Sequence, residues 1–162
     1  MTEQLTLETE SPEATHALGV RLGRLLHPGD AVLLSGELGT GKTVLTQGMA
    51  EGLDVQEPVK SPSFVLLHQY EGRTTVYHAD LYRLESPQEV ADLGLDEVAA
   101  DGVLVVEWAE RGQDVLPPEH LRVHLAYAGD DRRRITLEAH GGRYQELLAR
   151  LAEAAPRQTE VR

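Results

Sequence analysis

The sequence predicts one α/β domain with a mixed central β-sheet flanked by helices, and three observations carry that prediction. A short apolar run, Ala31 to Ser35, leads directly into Gly36-Glu37-Leu38-Gly39-Thr40-Gly41-Lys42-Thr43 and then into a helix-compatible stretch. A second solid apolar run, Gly102 to Val106, has the character of a strand buried on both faces. Two other regions read as antiparallel hairpins closed by turn-forming residues. At 162 residues the chain is long enough for one well-formed core.

Taken in order, Leu5-Thr6-Leu7 reads as a short edge strand. Ser11-Pro12 starts a helix, with Ser as N-cap and Pro at the first helical position. Ala14, Leu18, Leu22 and Leu25, with Leu26 beside them, form its apolar face, and Pro28-Gly29-Asp30 ends it. After the strand at 31–35 and the glycine-rich loop, a helix runs from Val44 to Gly52. Val59 to Phe64 is too rich in turn formers for a helix. Phe64 to Tyr70 and Thr74 to His78 form a hairpin across Glu71-Gly72-Arg73, the second strand ending at Asp80. Ser86-Pro87-Gln88-Glu89 is a capping box opening a short helix, and Asp92 to Ala100 continues irregularly or as a second helical turn. Gly102 to Val106 ends in Glu107-Trp108, and Pro117-Pro118 then breaks the chain. Leu121, Val123, Leu125 and Tyr127 alternate with polar residues, as do Ile135, Leu137 and Ala139, across the turn Gly129-Asp130-Asp131. Tyr144 to Ala152 is a terminal helix with Leu147, Leu148 and Leu151 on one face. The domain is expected to span 1–153, followed by a polar, frayed tail at 154–162.

Residues 36–43 fit the pattern G-x-x-x-x-G-K-[ST], which makes the domain P-loop NTPase-like. Gly36 and Gly41 let the backbone wrap closely around a phosphate chain, since no Cβ blocks the approach. The first amides of the following helix lack intrahelical partners and suit oxyanions. Lys42 is expected to reach the β and γ phosphates, and the Thr43 hydroxyl to sit on Mg²⁺. The implied cofactors are a nucleoside triphosphate and magnesium.

Composition narrows the partners. The net charge is −12, so phosphate backbones repel the chain and direct binding to DNA or RNA is not expected. A role in nucleic-acid metabolism would run through a partner protein. With no cysteine there is no disulfide and no thiolate site. Met1-Thr2-Glu3-Gln4 has neither the basic region nor the apolar run of an export signal, and no apolar run is long enough to span a membrane. A cytoplasmic protein is expected. The only lysines are Lys42 and Lys60, and neither has Asp two residues later, so the Asn-Lys-x-Asp box that reads guanine is missing.

Hydrolysis needs a carboxylate near the metal and a group that orders water. Two carboxylates follow strand-like runs, Glu107 after Val103-Leu104-Val105-Val106 and Asp80 after Thr75-Val76-Tyr77-His78-Ala79. Each is equally a surface strand-end residue in kind, and the pattern does not say which touches metal. Alternation puts His78 and Asp80 on one strand face, where they can share a site, although a buried histidine with a purely structural partner fits the same position. Arg83 and Arg111 each follow a candidate carboxylate, as arginine fingers or as surface ion pairs. Trp108 reads as a core residue. Arg132-Arg133-Arg134 is the one basic cluster, read as a solvated hairpin end ahead of a contact with nucleotide or with a partner's RNA.

In this order, the loop at 36–43, Ser61-Pro62-Ser63-Phe64, His78-Ala79-Asp80-Leu81-Tyr82-Arg83 and Val106-Glu107-Trp108-Ala109-Glu110 resemble the TsaE (formerly YjeE) family. That family comprises small bacterial ATPases of tRNA threonylcarbamoyladenosine synthesis, and the resemblance spans about residues 5 to 150. It implies that 61–64 is a switch loop and that 78–83 is a second switch, with Asp80 needed for hydrolysis. It implies that Thr43 and Glu107 are the magnesium ligands. It further implies that ATP hydrolysis resets a complex of the TsaB and TsaD proteins, through which alone tRNA is reached. Nucleotide would also touch the start of the first helix, at Glu10 or Ser11. The expected nucleotide contacts are therefore Ser11, Glu37, Leu38, Gly39, Thr40, Gly41, Lys42, Thr43, Val44 and Arg111. Lys42 and Asp80 carry catalysis, and Ser61, Pro62, Ser63, Phe64, His78, Tyr82 and Arg83 form the switches. Thr40 stands where the family usually has Ala, and Ser63 where it has Thr. A small phosphotransferase acting on a metabolite is the alternative, and a module that senses ATP without cleaving it is a third reading.

Overall fold

The computed structural model describes residues 4–37, 39–59, 67–81, 86–92, 94–98, 100–108, 116–154 and 160–161. In chain order the elements are β1 (Gln4–Thr9), α1 (Pro12–Leu25), β2 (Ala31–Gly36), α2 (Lys42–Gly52), β3 (Leu67–Glu71) and β4 (Thr75–Asp80). They continue with α3 (Pro87–Asp92), α4 (Leu95–Val98), β5 (Val103–Glu107), β6 (His120–Tyr127), β7 (Arg133–His140), α5 (Gly142–Ala154) and β8 (Glu160–Val161). The strands make one mixed sheet in the order β3-β4-β5-β2-β6-β7-β1-β8. The four central strands β4, β5, β2 and β6 are parallel, and antiparallel strands flank them on both sides. The expected α/β architecture is present.

The two solid apolar runs are solid because the sheet is covered on both faces. Along β2, Val32 and Leu34 belong to the core shared with α1, α2 and α5, while Ala31 and Leu33 belong to a second cluster with Leu81, Leu95 and Leu116. Along β5, Val103 and Val105 face the first cluster, and Leu104 and Val106 the second. Period-two alternation therefore delivers apolar side chains to both sides.

The helix that precedes the loop strand is held at both ends. Ser11 Oγ accepts from the Ala14 amide at 3.1 Å, the N-cap that Ser-Pro predicts. At the other end the Arg73 guanidinium donates to Gly23 O and Leu26 O at 2.8 and 3.0 Å, adding to the Leu26 amide that already caps Gly23 O. Between them, α1 and α2 meet through glycines. An added Cβ at Gly19, Gly23, Gly48 or Gly52 would lie 2.2–2.4 Å from a carbonyl oxygen of the facing helix. Only hydrogen side chains permit that spacing.

Several expectations are modified. β1 is not an edge strand. It runs from Gln4 to Thr9 and lies between β7 and β8, with Leu5 and Leu7 buried. Glu160 and Val161, inside the segment expected to be a frayed tail, pair with Thr6 and Leu5. The loop helix begins at Lys42 rather than Val44, and α5 runs from Gly142 to Ala154, beyond both expected ends. The first strand of the early hairpin begins at Leu67 among the described residues; residues 60–66 lie outside them.

Candidate functional site

β2 delivers the chain into the loop at the carboxyl edge of the parallel strands, the edge where open α/β sheets bind ligands. Gly36 ends the strand at φ +141, and a Cβ there would sit 2.4 Å from Leu125 O of β6. Gly39 and Gly41 also take positive φ, +84 and +105, and Gly41 is the N-cap of α2. These three turns let the backbone curl back over the strand end and start the helix at Lys42. Thr40 closes the turn: its amide and its hydroxyl both donate to Glu37 O, at 3.2 and 2.7 Å. The hydroxyl that the sequence carries there is thus fully buried and bonded.

Lys42 is 5% exposed. Its Nζ donates to Gly36 O at 2.6 Å and stands 3.8 Å over the Trp108 ring. Both contacts offset the cost of burying an ammonium group. Trp108 is half-buried beside the second cluster rather than in a core, and its backbone is left-handed, φ +59. That conformation is rare for a bulky residue and follows immediately on Glu107. Thr43 and Val44 occupy the next two positions of α2, both half-buried, where helix amides lack i−4 partners.

The candidate carboxylates flank the loop strand. In the parallel register Glu107 lies opposite both Leu34 of β2 and Asp80 of β4. Adjacent strand ends therefore carry Asp80, Glu107 and, two residues past Leu34, Gly36. Glu107 is 3% exposed, whereas Asp80 is half-buried. His78, fully buried, forms a 2.5 Å hydrogen bond between Nε2 and Glu107 Oε2. The expectation that His78 serves the site with Asp80 is thus refined: the bond runs to the carboxylate of the neighbouring strand. Ser11 is committed as the α1 cap, and the first turns of α1 do approach the loop, with Thr15 Cγ2 3.8 Å from a Cβ built on Gly41. Leu38, Ser61, Pro62, Ser63, Phe64, Tyr82, Arg83 and Arg111 lie outside the described residues.

The basic cluster divides by strand alternation. Arg132 and Arg134 lie 3.6 and 3.4 Å from Glu10 and Glu8, exposed pairs of small energetic weight. Arg133 faces the loop instead. Its Nε donates to Thr40 O at 3.2 Å, its Nη1 to Asp130 O and Arg132 O at 2.9 and 2.8 Å, and it lies 4.7 Å over the Tyr127 ring. A Cβ on Gly39 would meet Tyr127 Oη at 2.8 Å. The end of the β6–β7 hairpin thus braces the glycine-rich loop, a contact that the run of three arginines hid and that alternation within the run marks.

These features define a small α/β protein with a phosphate-loop motif at the carboxyl edge of a central parallel strand and two carboxylates on adjoining strand ends. The family model for "Threonylcarbamoyl adenosine biosynthesis protein TsaE" matches residues 9–135. The tRNA threonylcarbamoyladenosine biosynthesis protein TsaE of Bacillus subtilis is 43% identical over 152 residues, covering 93% of this chain and 95% of its own. Its counterpart in Treponema pallidum is 42% identical, covering 80% and 96% respectively. The crystal structure of Bacillus subtilis YdiB superposes with a TM-score of 0.83 at 39% identity, covering 95% of this chain and 97% of that one. The chain belongs to the TsaE family.

Proposed function

We propose that this protein is an ATP-binding and ATP-hydrolysing switch that supports threonylcarbamoyladenosine modification of tRNA through a TsaB–TsaD complex in the cytoplasm. The family membership supports the pathway. The observation that carries the chemistry is the glycine-turned loop with a buried lysine, set beside Glu107 and Asp80 on neighbouring strand ends. Among the described residues no helix is long and apolar enough to cross a membrane, in keeping with that location.

The residues fit a nucleotide with magnesium. Gly36, Gly39 and Gly41 supply the positive-φ turns that curl the backbone around an anion, and Lys42 brings one buried positive charge. Bound Mg²⁺ would supply charge neutralisation between phosphates. Lys42 would exchange the Gly36 carbonyl for phosphate oxygens, and the first α2 amides would bind the same chain. Thr43 and Glu107 would hold the metal, and Asp80 would orient the attacking water.

Phosphate release measured with ATP, with and without TsaB and TsaD, tests the proposal. Release that is slow alone and rises with the partners is expected. Transfer of the γ-phosphate to a metabolite without partners would favour the phosphotransferase instead. Tight ATP binding with no release under either condition would leave only a sensing module.

A further inference from the structure

His78 occupies a position that strand alternation assigns to the core. Val76, two residues earlier on the same face of β4, is a core residue, and the flanking Tyr77 and Ala79 belong to the cluster on the other face. An apolar side chain would fill such a place at no polar cost. The sequence puts an imidazole there, fully buried, and its Nδ1 has no hydrogen-bond partner among the described residues. Among the described residues, one ring nitrogen is thus unsatisfied while the other reaches Glu107. As a cation ligand Glu107 is ionised and only accepts, so on that reading Nε2 carries the proton and donates. The bond goes to Oε2 alone, at 2.5 Å. Packing does not explain a half-satisfied histidine, and holding that carboxylate does.

We propose that His78 is a positioning residue for the divalent cation: its Nε2–H fixes the Glu107 carboxylate through one oxygen and leaves Oε1 for the ion. This rests on the reading of Glu107 as a cation ligand. The arrangement has the chemistry of an outer-shell hydrogen bond that orients a metal-binding carboxylate, whose loss typically weakens metal binding about 10- to 100-fold. The register supports it, because His78 sits on the strand adjoining β5, two residues before the strand-end pair Asp80 and Glu107. The constraint comes from a sheet strand rather than from a loop.

The test measures Mn²⁺ binding to the ADP-bound protein by electron paramagnetic resonance, with metal-free ADP affinity and thermal midpoint measured beside it. His78→Gln places an amide N–H near the Nε2 position, while His78→Asn carries one too short to reach Oε2. His78→Asn is expected to bind Mn²⁺ at least about 10-fold more weakly, and His78→Gln to recover most of that loss. Metal-free ADP affinity should stay within about twofold in both, as expected for an effect confined to the outer shell of the cation. Equal Mn²⁺ affinity in the two variants overturns the proposal, as does a parallel loss of metal and ADP binding. Glu107→Gln is measured alongside. If it binds Mn²⁺ like the wild type, the cation-ligand reading itself fails. If it binds weakly while both His78 variants bind normally, only the positioning role fails.

Discussion

Gly48→Ala separates helix propensity from helix packing by sign. In an isolated helix the change stabilises by about 1 kcal/mol, because alanine is the better helix former. Here the new Cβ would lie 2.2 Å from His16 O, with the Gly19 Cα at 3.0 Å and the His16 carbonyl carbon at 3.1 Å. All three neighbours are backbone, so no side-chain rotation relieves the clash, and the helices must separate by most of an ångström. Overpacking of this kind costs about 3 kcal/mol at the upper end of its usual range. The net is a destabilisation of about 2 kcal/mol, or a fall in thermal midpoint of about 4–8 °C for a domain of this size. Differential scanning calorimetry reads it directly. Gly142→Ala is the control, since nothing lies within 4 Å of its added Cβ and it opens α5; it should be neutral or slightly stabilising. Because α2 begins at Lys42, the Gly48 variant should also bind ATP more weakly by titration calorimetry. A midpoint equal to or above the wild type would refute the claim that backbone contact sets the α1–α2 spacing.

Four further outcomes are expected. Lys42→Ala should weaken ATP binding by about 2–3 kcal/mol through loss of charge-assisted phosphate bonds, and unchanged affinity by calorimetry would refute the loop assignment. Asp80→Ala should retain ATP binding and lose phosphate release; normal turnover would return Asp80 to a structural role. Arg133→Ala should weaken ATP binding by about 1 kcal/mol by freeing Thr40 O, with the ion pairs of Arg132 and Arg134 intact, and an unaltered affinity would count against the brace. Burial holds His120 below the ordinary histidine range, although its bond to Pro117 O opposes this. The unfolded chain therefore takes up this proton first as pH falls. Stability from the group is full above the ordinary value of about 6.5 and is lost as pH falls through the lowered folded value. His120→Phe should flatten the fall in thermal midpoint on that acid limb, and identical slopes would contradict it.

The fold was readable where local chemistry and tertiary context agree. Ser11-Pro12 specifies a helix start by its own side chain, and the runs at 31–35 and 103–106 are apolar throughout because both faces of the sheet are covered. The position of β1 was not readable, since an alternating Leu-Thr-Leu is the same whether its far neighbour is solvent or a two-residue strand from the other end of the chain. The glycine contact between α1 and α2 left a trace, pairs of Gly four apart in both helices, which are on one face by helical period. Within the candidate site, motif spacing marked the loop, and the ends of two strand-like runs marked Asp80 and Glu107, because each signal is local in sequence. The His78–Glu107 bond and the Arg133 brace span 29 and 93 residues and depend on which strands become neighbours. That is a property of sheet order, which no local pattern contains.

The loop lysine and the strand-end carboxylate are prepared in the same way, and this bears on how the proposed switch would work. Lys42 and Glu107 are both buried, and each has a polar partner within the protein: the Gly36 carbonyl for one and the His78 imidazole for the other. An unpartnered charge at either place would destabilise the fold. On the proposed reading the two differ in what ligand binding does to them. Lys42 must leave the Gly36 carbonyl to reach phosphate, whereas Glu107 can keep its bond to His78 and offer its second oxygen. On that reading the exchange at Lys42 would take place against the Trp108 ring, on a residue held at φ +59 directly after Glu107. A change in the lysine's partner would thereby be coupled to the start of the segment that follows β5, while the carboxylate would stay fixed as the reference point.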